Sequence, residues 1–356
     1  MKRLSSLDYL RGLAAFGIMV FHYSMWTYGL FSSQDFLGRI GIYDVPVFYV
    51  LSGLTLYHVY FDKIGGPSGK GLADFVIKRV FRIYPLLWLV SLVTLTYTRE
   101  VYTRSDLFLN FSGLFSVHKW DNTVAYGAWS IGNELCFYLF FPVFIFLSKK
   151  ARAIFALLAA GIFVIYLWFA FIHIDHTKTL AEYWPAYTNP LNQIFLFLGG
   201  YLMGLWTENV HPPRWLTLSV IAACLLAFIF LPVRGDSILL VTGINRLIFT
   251  AICFLVCFSF YKTDFRLPCP LGRMFSVLGE ISYSVYLVHP ITWHYLQAAL
   301  HTARISPPPL AQLLIGFIFS LLVAYAVYRL YEMVFMKLGK RCSNRFVLSK
   351  HRNMST

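Results

Sequence analysis

His22 is the side chain in this sequence best suited to acid–base or nucleophilic work, because an imidazole can take a proton or an acyl group near neutral pH. It closes the run RGLAAFGIMVFH, in which ten uncharged residues separate it from Arg11. Eleven positions at about 100° each bring Arg11 and His22 onto one helix face, about 16 Å apart along the axis. Asp8 precedes Arg11 by three positions, the spacing of a helical ion pair. Glu134, in GAWSIGNELCFYLFFPV, and His289, in SYSVYLVHP, sit in other apolar segments and are expected near the depth of His22. A carboxylate at that level can orient an imidazole and stabilise its protonated form. Arg246 lies at a comparable depth and is an alternative partner for Glu134. Ionisable groups in hydrocarbon are costly and mark function, although each of these can equally be a structural hydrogen-bonding group.

Other residues border this set. In FVIKRVFRIYPLLWL, Arg79 and Arg82 share a helix face behind Lys78. That pair suits phosphate binding and equally a snorkelling anchor against anionic lipid. Pro85 fits the first turn of the segment that follows. Trp129 can stack on a sugar ring or anchor at the membrane interface. Ser52 and Gly53 suit close helix packing. The Gly-rich stretch DKIGGPSGKGLAD (62–74) lacks the spacing of a phosphate-binding loop. No metal-ligand pattern stands out.

These residues must be positioned by membrane helices. The chain has 356 residues, of which 58% are hydrophobic, 19% aromatic and 13% charged, with a mean hydropathy of +0.63. Soluble domains average about 25% charged. The reading is an all-α integral membrane protein. Ten apolar segments are candidates for spans: 9–31, 40–61, 83–98, 127–147, 153–173, 190–207, 215–233, 238–261, 275–299 and 310–332. With the N-terminus cytoplasmic, most of the 30 Lys and Arg residues fall in cytoplasmic segments, which favours ten spans with both termini inside. The net charge of +14 then reflects topology rather than nucleic-acid binding. The basic stretch MKRLSSLD is expected to precede a retained span rather than a cleaved signal. Residues 336–356 form a basic cytoplasmic tail beyond a transmembrane unit over 1–335. The six cysteines, Cys136, Cys224, Cys253, Cys257, Cys269 and Cys342, show no disulfide framework and read as free thiols. The absence of a visible internal repeat weakens an inverted-repeat transporter reading.

Taken together, the stretches resemble the membrane-bound acyltransferase 3 family. Arg11 to His22 matches its arginine–ten residues–histidine signature. VPVFYVLSGL resembles its GVxxFFVLSGFL, FVIKRVFRIYP its Rx₂RIxP segment, WSIGNELCFYLFFP its WSLxxExxFYxxxP, SYSVYLVHP its SYxxYLxH, and YRLYEM its closing Glu motif, here Glu332. The motifs occur in family order over residues 7–335. Asp44 stands where the family often has Gly, Tyr49 replaces a Phe, and Leu54-Thr55 replaces the usual Phe-Leu. The sequence is expected to lack the extracytoplasmic hydrolase-like domain that some members append.

The resemblance implies an integral O-acyltransferase of the plasma membrane, in bacteria the inner membrane. It would move an acyl group, most often acetyl, from cytoplasmic acetyl-CoA to a hydroxyl of an envelope or extracellular polysaccharide. O-antigen, exopolysaccharide, peptidoglycan, a lipid-linked sugar and a small macrocycle all remain open as acceptors. By carry-over, His22 and Arg11 are the essential pair, and Glu134, Arg79 and Arg82 map onto family positions. The expected roles are His22 as base or acyl carrier, Glu134 as its orienting carboxylate, and Arg79, Arg82 and Arg11 as donor-binding cations. No metal is expected. Without the resemblance, a proton-coupled transporter using His22, Glu134 and His289 as a relay fits the same residues.

Overall fold

The structure is a computed structural model and describes residues 4–65, 69–263, 265 and 267–352, with side chains to residue 346. Part of the Gly-rich stretch, residues 66–68, lies outside the described residues. Among the described residues the chain is helical without strands. That follows from apolar runs whose backbone groups must find their partners within the segment. The α-helices are α1 (Ser5–Tyr28), α2 (Phe36–Tyr60), α3 (Lys70–Leu95), α4 (Arg104–Ser112), α5 (Ala128–Lys150), α6 (Arg152–Trp168), α7 (Trp184–Thr188), α8 (Pro190–Thr207), α9 (Arg214–Phe230), α10 (Gly243–Thr263), α11 (Leu271–Glu280), α12 (Ser282–Thr302), α13 (Pro309–Val327) and α14 (Met333–Arg352). By length and composition, five helical stretches can cross a membrane: Phe36–Tyr60, Ala128–Lys150, Arg152–His173, Gly243–Thr263 and Pro309–Phe346. Large apolar side chains such as Leu157, Trp215, Phe230, Leu322 and Leu330 face outward, as a lipid-facing surface requires.

Each of the ten apolar segments is mainly helical, and three differ in ways that bear on the site. The segment 83–98 belongs to the longer α3, so Pro85 lies inside a helix rather than in its first turn. The basic residues Lys78, Arg79 and Arg82 extend that helix beyond the apolar run. The segment 275–299 is broken at Ile281 into α11 and α12. The basic tail continues α13 through a π-helical turn, Tyr328–Glu332, into α14. There it packs along α3, with Ser343 Oγ donating to Asp74 Oδ1 at 2.5 Å.

α1 packs against α2, α11 and α12, and α2 packs most closely on α8. That last contact is a reciprocal glycine crossing. A Cβ added at Gly53 would lie 2.0 Å from the Phe197 carbonyl oxygen, and one at Gly200 would lie 2.0 Å from that of Val50. Small residues let membrane helices approach this closely. Gly53→Ala is therefore expected to force the two backbones apart and cost about 1–3 kcal/mol, the usual range for overpacking. Gly161→Ala, where an added Cβ meets nothing within 4 Å, is the control. A thermal-unfolding midpoint lowered in the first variant and held in the second is the expected result.

Asp44 occupies the room left by Gly17. Its Oδ2 is buried without a hydrogen-bond partner among the described residues, 2.2 Å from where a Cβ at Gly17 would stand. Between α3 and α5, the loop carries α4, opened by a Thr103–Asp106 capping box. Lys119 and then Thr103 hold the Asp106 carboxyl below its usual range, at about 2. All six cysteines are free.

Candidate functional site

α1 runs between two faces, the near one at Ser5 and the far one at Tyr28. A cavity of about 440 Å³ opens among α1, α2, α3, α5, α11, α12 and α14. Its polar lining gathers side chains far apart in sequence: Arg11, Ser52, Arg79, Arg82, Glu134 and Tyr138 among them. Arg11 donates to Thr55 Oγ1 at 3.2 Å and pairs with Asp8 at 3.6 Å. Thr55 stands where the family usually has an apolar residue, and here it supplies the partner of Arg11. Tyr49, the replacement for Phe, accepts from Asn133 Nδ2 at 3.1 Å.

Arg82 pairs with Glu332, lies 3.0 Å from Met336 Sδ, and sits over the Tyr283 ring. Glu332 is 2% exposed. Its other oxygen accepts from Ser284 Oγ at 2.6 Å. The π-helical turn that holds Glu332 widens the helix at this point, a feature common at functional sites. Arg79 lies over the Tyr138 ring, 6.0 Å from its centroid, and its Nε is buried without a hydrogen-bond partner among the described residues. A cavity wall bearing three guanidiniums suits an anion carrying several phosphates.

Glu134 is not beside His22. Its carboxylate accepts from Tyr138 one turn along α5, at 2.8 Å, and faces the cavity. Tyr126, just before α5, is the residue at the level of His22, so Glu134 lies about two turns further along, and α5 packs mainly on α6, α8 and the turn Leu114–Ser116. Arg246 is not a partner for Glu134 either. It donates to Asn192 Oδ1 at 2.5 Å and lies over the Tyr166 ring at 4.2 Å. Trp129 is buried against Trp184 and Tyr187, which withdraws its ring from any sugar at the surface. Ser52 lies on the cavity wall, 3.3 Å from the Tyr138 hydroxyl.

The partner of His22 is His289, with Nδ1 and Nε2 2.9 Å apart and the two rings nearly parallel at 5.1 Å. Trp26 stacks on His22 from the same helix, one turn on, and Tyr126 meets it edge-on. These two aromatics escape a reading focused on ionisable groups. The i,i+4 spacing of His22 and Trp26 was the available signal. Tyr286 links the two sites: it lines the cavity, and its ring lies 6.3 Å from that of His289. Its hydroxyl is held by Ser130 Oγ at 2.6 Å and donates to the Gly127 carbonyl at 3.0 Å. Arg11 thus lines the cavity, while His22 lies beyond Tyr286 at the cavity's far end. Among the described residues, no cluster of three or more His, Cys, Asp or Glu is placed to hold a metal.

Comparison with known proteins bears on this arrangement. The model of a family described as an acyltransferase domain, of the acyltransferase 3 type, matches residues 4–329. A protein of Acidianus two-tailed virus named "Putative acetyltransferase ORF330" is 28% identical over 298 residues, spanning 82% of each chain. "Peptidoglycan O-acetyltransferase OatA" of Listeria monocytogenes is 23% identical over 375 residues, covering 95% of this chain. The chain spans 56% of the length of that relative. No solved structure matches the chain.

Proposed function

Because the chain belongs to this acyltransferase family, we propose that it is an integral plasma-membrane O-acyltransferase carrying acetyl from cytoplasmic acetyl-CoA to a hydroxyl of an envelope glycan. The near face is then cytoplasmic, ten helical segments span the bilayer, and both termini lie inside. One observation carries the reading: a cavity with three arginines ends at Tyr286, which packs on the histidine paired with His22. Acetyl-CoA is a polyphosphate at one end and a thioester at the other, so cations at the mouth and an imidazole at the far end match its two chemistries.

In this reading Arg79 and Arg82 hold the donor phosphates, and Arg11 holds the pantetheine arm deeper in. An imidazole nitrogen of His22 takes the proton of the acceptor hydroxyl as its oxygen attacks the thioester carbonyl. The tetrahedral intermediate then collapses, the C–S bond breaks, and the thiolate leaves with the proton from His22. The products are an O-acetyl ester and the free thiol of CoA. Glu134 acts on the cavity side, balancing Arg11 and Arg79. Trp26 and Tyr126 offer ring faces to a sugar beside His22. The competing proton relay through His22, Glu134 and His289 loses its middle member, since Glu134 bonds Tyr138 instead.

The test is transfer of labelled acetyl from acetyl-CoA by the purified chain in liposomes, with peptidoglycan sacculi and O-antigen offered as acceptors. Base-labile label on a glycan supports the reading. Solute flux without acetyl-CoA consumption overturns it. Arg82→Ala is expected to raise KM for acetyl-CoA tenfold or more, as loss of a hydrogen bond between charged groups costs about 1.5–3 kcal/mol. A change confined to kcat would remove Arg82 from the donor site.

A further inference from the structure

We propose that His289 is a positioning residue that holds His22 in the Nδ1–H tautomer and thereby leaves His22 Nε2 as the reactive nitrogen. The argument runs along one chain of hydrogen bonds. His289 Nδ1 lies 3.0 Å from the Val285 carbonyl oxygen. A carbonyl only accepts, so His289 Nδ1 carries a hydrogen. In neutral His289, Nε2 is then a bare acceptor, and it is the atom that faces His22 Nδ1 at 2.9 Å. A hydrogen bond between them requires that His22 Nδ1 be the donor. Neutral His22 has one ring hydrogen, so its Nε2 is unprotonated.

The surroundings fix this chain in place. His289 is 2% exposed. Its own carbonyl accepts from the Tyr23 hydroxyl at 2.8 Å, and Tyr23 is held in turn by Thr292 and Ser320. The His22 ring is nearly parallel to those of Trp26, 5.4 Å away, and His289, 5.1 Å away, and Trp26 and His289 lie 6.3 Å from each other, so the three rings pack in one cluster. A neutral imidazole thus does for His22 what a carboxylate does in a Ser-His-Asp triad, orienting the ring and selecting its tautomer. Glu134, expected in that role from the sequence, is engaged elsewhere.

This inference rests on the reading of His22 as the base, and the experiment separates the two. Nitrogen-15 solid-state NMR of histidine-labelled full-length protein in bilayers reports which ring nitrogen bears hydrogen, with the His22 signals identified by their loss in His22→Ala. Wild type is expected to show His22 with Nδ1 protonated and Nε2 bare. His289→Phe is expected to release it to the Nε2–H form and to lower kcat ten- to hundredfold, the usual cost of losing such an orienting partner, with KM for acetyl-CoA unchanged. His289→Gln, whose amide oxygen can accept from His22 Nδ1, is expected to restore both the tautomer and most of kcat. Rescue by Gln but not Phe separates positioning from simple packing. An Nε2–H form in wild type, or His289→Phe with wild-type spectrum and kcat, overturns the proposal. Normal transfer by His22→Ala would instead overturn the functional reading and leave the tautomer assignment standing.

Discussion

His22→Ala is expected to lower kcat for acetyl transfer by a factor of about 10²–10⁴, the range for removal of a positioned acid–base group. KM for acetyl-CoA is expected to stay within a few-fold of wild type, because the cavity wall carries Arg11, Arg79 and Arg82 but not His22. The variant should fold. His22 is only half-buried, and the core around it is supplied by Tyr23, Trp293 and Val285. The measurement is a steady-state assay with labelled acetyl-CoA on protein of matched monodispersity. A rise in KM at constant kcat would place His22 in donor binding. An unchanged kcat would leave another group to take the hydroxyl proton. Arg11→Ala provides the contrast: its guanidinium lies on the cavity wall near Thr55 and Asp8, so its loss should register first in KM for the donor.

The difference between those two residues of α1 shows what the sequence made legible. Ten uncharged residues between an arginine and a histidine already imply one face and two depths, and the structure sets Arg11 on the cavity and His22 beyond its far end. Pairs within one helix were equally readable: Asp8 meets Arg11 three positions on. Pairs across helices were not. Tyr126, just before α5, is the residue that meets His22, which sets Glu134 about two turns further along α5, on the cavity wall with Arg11. The break at Ile281 was hidden for a similar reason. Gly279 packs so closely on α1 that a Cβ there would lie 2.2 Å from the Asp8 carbonyl oxygen, and α11 takes its own path along α1. Apolar periodicity in one chain segment carries no information about that approach.

Arg39→Met is expected to destabilise the fold by roughly 3 kcal/mol or more, with activity per folded molecule unchanged. Arg39 stands just before the apolar segment 40–61 in the sequence; in the structure it lies within α2 and is 2% exposed. Its Nε donates to the Ser33 carbonyl at 2.9 Å, Nη1 to Phe228 and Ile229 at 2.6 and 3.0 Å, and Nη2 to Leu231 at 2.5 Å. Three of these carbonyls are at the C-terminal end of α9, where a helix has no donors of its own and its dipole favours a cation. Replacing the guanidinium with a thioether removes four donor contacts, and each carbonyl left buried and unsatisfied costs about 1–3 kcal/mol. Arg39→Lys should recover only part of the loss, because one ammonium cannot reproduce the planar fork. Thermal unfolding in detergent, followed by the monodisperse fraction, reads the effect, and a wild-type midpoint for Arg39→Met would refute the clamp. The arginines within the bundle thus divide by what they touch. Arg39 and Arg246 spend their donors on carbonyls and on Asn192, so their loss should appear as unfolding. Arg11, Arg79 and Arg82 face a cavity, so their loss should appear in the affinity for the donor.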